Sequence, residues 1–346
     1  MGRARLRVGL AGLGRMGRIH AANLARCCPS GRLVGVTDAD PAVAAATGAE
    51  LDVPALPSYD DLLSEVDAVA VATPTGTHAD LVTRAARAGK AVFCEKPVSL
   101  DRQATVDALA EVAKAGVPLQ VGFHRRFDPD WVAATGRIRA GELGRVYLFR
   151  TSLRDMRSPR PDFLAGSGGF FLDVTIHDLD VARWMVGEVV EIGAHGAALS
   201  DPGFAELGDI DTALVTLRFE SGALGVIDNS RSAGYGYECS TEVMGSAATV
   251  RIDNPPRHHY QWLTPGQASS TLVRDFQERY PGAYAAEMEA FAAAVRDGTP
   301  PRVTGLDALA AFDLATAADL AWRTGRTVHV RPERTADGVV YALPPG

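Results

Sequence analysis

The sequence predicts an α/β fold: an N-terminal doubly wound parallel sheet, followed by an α+β domain with a largely antiparallel open sheet. Three observations predict it. Short continuous apolar runs alternate with helix-forming segments through Gly122, the pattern of parallel strands covered on both faces. Beyond that point apolar and polar residues alternate with period two, as in strands with one wet face. The chain has 346 residues, more than one hydrophobic core usually spans. Two domains are expected, over 1–123 and 124–335, with a tail over 336–346.

Arg5 to Ala11 reads as a buried strand that runs into Gly12-Leu13-Gly14-Arg15-Met16-Gly17, and Arg18 to Arg26 as a helix. Leu33 to Thr37 is a second strand, closed by Asp38. Val66 to Ala72 and Ala91 to Cys94 are the third and fourth, and Ala79 to Ala88 between them is a helix stopped by Gly89. Asp101 to Ala115 forms a helix before Gly116, and Leu119 to Gly122 is the last strand of this sheet. In the second half, Ala213, Val215, Leu217 and Phe219 alternate with polar neighbours. Ser221-Gly222 turns the chain, and Ala223 to Asp228 returns as a hairpin partner. Glu242 to Ile252 is a further strand. Two late helices are expected to cover one face of this second sheet. One carries the stripe Tyr284, Met288, Phe291 and Val295, and the other runs from Leu306 to Trp322. Pro255-Pro256 marks a loop, and Pro344-Pro345 the tail.

Composition narrows the function. The 47% hydrophobic and 22% charged residues exclude wholesale disorder. With 35 Lys plus Arg against 42 Asp plus Glu, the net charge is −7 and no basic run occurs, so a nucleic-acid partner is not expected. The apolar stretches fall far short of the roughly 20 residues that span a bilayer, and the start lacks a secretory pattern. Cys27, Cys28, Cys94 and Cys239 show no zinc spacing. Reduced thiols in a cytoplasmic protein, with no metal, are the expectation.

Gly12, Gly14 and Gly17 follow a strand and open a helix, as needed where a dinucleotide pyrophosphate must approach bare backbone N–H groups. Asp38, about 20 residues on, is placed to accept ribose hydroxyls, which favours NAD over NADP because a 2′-phosphate would meet its charge. Glu95-Lys96-Pro97 follows a strand of the same sheet, at the carboxyl end where such sheets bind ligands. If Asp173-Val174-Thr175-Ile176-His177 is helical, Asp173 and His177 share a face, and a carboxylate-held imidazole is a general base. Asp178 and Asp180 follow, so a metal cluster and a buried structural histidine remain rival readings.

These segments, with Thr73-Pro74-Thr75-Gly76-Thr77-His78 and Gly122-Phe123-His124-Arg125-Arg126-Phe127, resemble the glucose–fructose oxidoreductase / inositol dehydrogenase (Gfo/Idh/MocA) family over residues 5–331. Gly225 to Arg231 and Val303-Thr304-Gly305 look most like its inositol dehydrogenase members. The resemblance implies a dinucleotide-binding Rossmann domain over 1–123 and a substrate-binding and oligomerisation domain over 124–335, in a homotetramer. It implies hydride transfer from a ring hydroxyl carbon of a cyclic polyol to NAD, with myo-inositol the leading substrate. The catalytic trio falls on Lys96, Asp173 and His177. Cofactor contacts fall on Gly12, Gly14, Arg15, Met16, Gly17 and Asp38, and on Thr73, Pro74, Thr75, His78, Glu95 and Lys96. Substrate contacts fall on Lys96, His124, Arg125, Asp155, Asp173, His177 and Tyr235.

Two positions depart from the family pattern: Leu153 stands where some members carry histidine, and His124 where Met or Asn is more usual. A related sugar dehydrogenase or ketoreductase is the alternative reading. A non-catalytic NAD-binding regulator is the remote one, and the intact trio argues against it. His20 reads as structural, His258-His259 as solvated loop and Cys94 as a packed residue. Trp131, Trp184, Trp262 and Trp322 read as core or interface.

Overall fold

In the computed structural model, which describes residues 4–159, 164 and 166–344, the first sheet has five strands in the order β2-β1-β3-β4-β5. They are β1 (Leu6–Ala11), β2 (Gly31–Thr37), β3 (Ala68–Val71), β4 (Ala91–Glu95) and β5 (Leu119–Gly122), and every pairing is parallel. The order reverses between β1 and β3, and the crevice beyond the strand ends at such a point is where ligands bind in open α/β sheets. The strands are almost wholly buried, which is why they read as unbroken apolar runs. The helices between them are α1 (Arg15–Arg26), α2 (Pro41–Leu51), α3 (Tyr59–Glu65), α4 (His78–Arg87) and α5 (Arg102–Ala115). Asp40, Ser58 and Asp101 cap three of them by accepting backbone N–H groups. Gly116 ends α5 in the left-handed conformation.

The chain divides into two compact units, but not at the expected boundaries. One unit is Met1–Phe127 with Gly282–Leu309, and the other is Asp128–Pro281 with Ala310–Gly346. The helix α8 (Pro281–Asp297) was expected on the second sheet. Instead its Met288, Phe291 and Ala292 complete the core of the parallel sheet with Val8, Leu33 and Phe93. An apolar stripe shows that a helix has a buried face, not which sheet it covers.

In the other unit, seven strands run in the order β11-β10-β6-β9-β8-β7-β14. They are β6 (Val146–Arg154), β7 (Val189–Ala197), β8 (Thr212–Phe219), β9 (Leu224–Ser230), β10 (Glu238–Gly245), β11 (Thr249–Ile252) and β14 (Val328–His329). All pairings are antiparallel except β6 with β9. The single strand expected over Glu242–Ile252 is two, because the chain turns after Gly245, whose N–H bonds Ala248. One face is buried, with Phe149, Leu153, Val215, Leu217 and Ile227, and α7 (Ile176–Val186) packs on β6 and on α6 (Pro129–Arg139). The other face exposes Leu214, Leu224 and Met244.

The tail is not a free tail. β16 (Val339–Ala342) pairs with β15 (Arg331–Arg334), and Tyr341 is buried, with its hydroxyl bonded to Glu188 and accepting the Val189 N–H at 3.1 Å. Pro345 and Gly346 lie outside the described residues. The hairpin of β12 (Trp262–Thr264) and β13 (Gln267–Ser269) is exposed, so Trp262, expected in a core or interface, is 68% exposed here, whereas Trp131 is fully buried. No helix among the described residues is long and apolar enough to cross a membrane.

Candidate active site

Lys96 belongs to the parallel-sheet unit, and Asp173 and His177 belong to the other. On the first half, Gly12 has φ +88°, and a Cβ on Gly17 would sit 1.8 Å from the Gly12 carbonyl oxygen. Only glycine fits this turn. Gly14 caps α1 with no side chain, and the first helical turn, with Arg15 and Met16, carries no acid. The first turn of a helix points its N–H groups outward, and the dipole there favours an anion. Asp38 stands beside the loop: its Oδ2 accepts the Leu13 N–H at 2.6 Å and its Oδ1 the Asp40 N–H at 2.9 Å. A glycine turn opening a helix is the backbone form that admits a dinucleotide pyrophosphate, and Asp38 sets a fixed carboxylate beside it.

The loops after β3 and β4 are tied together. His78, expected on the cofactor, is instead buried at 2% exposure, with Nδ1 2.9 Å from the Pro97 carbonyl and Nε2 2.7 Å from the Thr73 carbonyl. It holds the Thr73-Pro74-Thr75 segment against the loop that carries Lys96, and Thr73 and Thr77 bond each other at 2.7 Å. Glu95, expected on the cofactor, has intramolecular partners for both carboxylate oxygens. Its carboxylate is taken by the buried His20 ring, at 2.6 Å, and by the Lys96 N–H, at 3.3 Å. His124 and Arg125, expected on the substrate, lie in a buried turn over His124–Phe127, where His124 stacks on Tyr284 with ring centroids 4.8 Å apart.

In the second half, Asp173 lies in a π-helical turn, Phe171–Thr175, and His177 follows in the first turn of α7. The segment is helical, but the wider turn is not legible from an i, i+4 spacing, and such turns are frequent at functional sites. Asp173 Oδ2 accepts a hydrogen bond from Arg231 Nη1 at 2.8 Å, and this guanidinium is 1% exposed with its face toward Phe170. Asp178 is fully buried and bonds Thr151 and Asn229, at 3.1 and 2.8 Å, which pins α7 to β6 and β9. No cluster of His, Cys, Asp or Glu suited to a metal occurs among the described residues.

Asp155 follows β6 directly; its N–H donates to the Ser230 carbonyl and its carbonyl accepts the Ala233 N–H. Tyr235 is half exposed, and its hydroxyl donates to Glu238 and accepts from Arg154 Nη1 at 3.1 Å. Leu153, at the position of the absent histidine, is buried and registers with Asn229 and Cys239. Two pairings were not legible in the sequence, Arg231 with Asp173, and His20, read there as structural, with Glu95. Each pair joins segments far apart in sequence, and no local pattern signals it.

Residues 6–123 match the family model described as the oxidoreductase family, NAD-binding Rossmann fold, and residues 131–251 match the GFO/IDH/MocA C-terminal domain. A scyllo-inositol 2-dehydrogenase (NAD(+)) of Bacillus subtilis (strain 168) is 37% identical over 338 residues, covering 96% of this chain and 99% of that protein. An inositol 2-dehydrogenase of Rhizobium meliloti (strain 1021) is 41% identical over 320 residues, covering 90% and 96%. The crystal structure of scyllo-inositol dehydrogenase from Lactobacillus casei with bound NAD(H) and scyllo-inositol superposes with a TM-score of 0.89 at 29% identity, covering 94% of this chain and 99% of that one. With both of its domains matched in order and its relatives aligned from end to end, this chain belongs to the GFO/IDH/MocA family of NAD-binding oxidoreductases.

Proposed function

We propose that this chain is an NAD-dependent inositol 2-dehydrogenase that converts myo-inositol to scyllo-inosose. The observation that carries the reading is the pairing of an NAD cradle at Gly12–Gly17 and Asp38 with full-length similarity to inositol dehydrogenases. Bound NAD supplies the hydride acceptor. Asp38 and the N-terminus of α1 hold its adenosine ribose and pyrophosphate. His177 accepts the substrate hydroxyl proton at an imidazole nitrogen, while Asp173 orients the ring and stabilises the imidazolium that forms. The Lys96 ammonium meets the reacting oxygen and lowers the energy of its developing negative charge. Arg125, Asp155 and Tyr235 contact the other ring hydroxyls, and His124 packs behind them.

A second reading, scyllo-inositol as the preferred substrate, draws on the Bacillus subtilis relative and on Leu153 in place of a polar histidine. The two isomers differ only in configuration at the oxidised carbon and give the same ketone. The enzyme works in the cytoplasm as a homo-oligomer, a tetramer, and the exposed Leu214, Leu224 and Met244 on the open sheet face support an interface there. The test is kcat/KM over a panel of inositol isomers and aldoses with NAD and NADP. The reading expects an inositol with NAD to lead the panel, and an aldose or NADP in the lead overturns it. Asp38→Ala is expected to weaken NAD and narrow the gap between the cofactors.

A further inference from the structure

His20 takes no part in the proposed steps, yet it is fully buried on α1, the helix that the glycine loop opens. Its Nε2 lies 2.6 Å from Glu95 Oε1, and since a carboxylate only accepts, that nitrogen carries the proton. Phe93 and Tyr284 hold the ring edge-on, at centroid distances of 5.1 and 5.9 Å. The second oxygen of Glu95 accepts the main-chain N–H of Lys96. Gly122 of β5 registers with Glu95, and a Cβ there would stand 3.1 Å from Glu95 Oε2. Glycine at 122 leaves the carboxylate its place. Burial alone would push the Glu95 carboxyl up. The hydrogen bond and charge of His20, with Lys96 and His78, outweigh it and hold the group below the usual carboxylate range.

We propose that His20 and Glu95 form a positioning pair: the buried imidazole fixes the Glu95 carboxylate, and that carboxylate fixes the main chain of Lys96 at the end of β4. The inference rests on the reading of Lys96 as the group at the reacting oxygen. Neither residue touches substrate or NAD in this account, because both Glu95 oxygens are already engaged within the protein. The glycine-loop helix and the catalytic lysine are thereby locked to one another by two hydrogen bonds. A small displacement of a reacting group is enough to slow chemistry on the order of 100-fold.

The experiment measures hydride transfer as NADH absorbance in single turnovers of the full chain with myo-inositol, and NAD affinity by calorimetry. Glu95→Gln keeps the shape but presents an amide N–H to one of its two donors. His20→Ala removes the clamp, and His20→Gln restores an N–H near the Nε2 position. Expected are rate constants lower by roughly 10-fold to 100-fold for Glu95→Gln and His20→Ala, with NAD affinity within about threefold of wild type. His20→Gln recovers most of the rate, and Gly122→Ala, which crowds the carboxylate without removing it, loses a few-fold. A merely structural role would lower the amplitude of the turnover, not its rate constant. In a Lys96→Ala background, Glu95→Gln is expected to cost nothing further. Multiplying losses in that double variant, NAD affinity falling in step with rate, or wild-type rate constants in both single variants would each overturn the inference. If Lys96→Ala itself keeps the wild-type rate, it is the reading of Lys96 that fails.

Discussion

Glu95, at the end of β4, and Glu287, on α8, lie in the same unit and are both withdrawn from water, yet their surroundings differ in kind. Glu95 has the His20 N–H against one oxygen and Lys96 beside it. Glu287 is 0% exposed, and neither of its carboxylate oxygens meets a donor among the described residues. Burial, and then the negative charge of Glu95, push the Glu287 carboxyl well above the ordinary value of 4.5. The ionised form is favoured in one carboxyl and disfavoured in the other. Burial does not set the charge state of a carboxyl; the partner that accompanies it into the core does. In the other unit Asp173 has such a partner in Arg231.

Four experiments bear on this contrast, and the largest effect is expected where a held carboxylate serves chemistry. His177→Ala, which removes the proposed general base, should cost on the order of 100-fold to 10,000-fold in kcat. A variant within a few-fold of wild type would return the pair to a structural role. Next is Arg231→Met, which leaves the Asp173 carboxylate without its buried cation. Breaking such a pair typically costs about 3 kcal/mol, to be read from urea unfolding, and an unchanged midpoint would show that Asp173 is held by other means.

Third are the opposite pH slopes of two matched amides. The Glu95 carboxyl is depressed in the fold, so its contribution is present above 4.5 and is lost as pH falls through the folded value. The advantage of wild type over Glu95→Gln should therefore shrink on acidification. Glu287 is raised, so the unfolded chain ionises first, and wild type should lose stability relative to Glu287→Gln as pH rises above 4.5. The slope should approach ~1.4 kcal/mol per pH unit. Parallel slopes would collapse the comparison. The smallest effect is Glu287→Gln at about pH 3, well below the unfolded carboxyl's range, where the side chain is neutral in both the folded and unfolded states and near-equal thermal midpoints are expected.

The strands β1, β3 and β4 were legible because burial on both faces leaves an unbroken apolar run, and the glycine loop because its backbone geometry admits so few residue types. The His20–Glu95 contact was not, since it joins positions 75 residues apart that only the strand order brings together. A signal for Glu287 was present: it falls on the stripe of Tyr284, Met288 and Phe291, where a solvated acid has no place. The split of Glu242–Ile252 into two strands turned on one tight reversal, and the pairing of Val339–Ala342 on a partner just upstream. The placement of 282–309 was settled by packing that a one-dimensional stripe does not encode.

The core of the parallel-sheet unit is shared between β1 and Met288, Phe291 and Ala292, which lie far downstream of it in the chain. Ribosomes add about 5–20 residues per second, so roughly 15–60 s separate the emergence of Val8 from that of Phe291. Through that interval the nascent sheet holds the surface of Val8, Leu33 and Phe93 without its covering helix, and the whole of Asp128–Pro281 is synthesised before the cover arrives. Final closure of this unit thus waits on the synthesis of the intervening Asp128–Pro281.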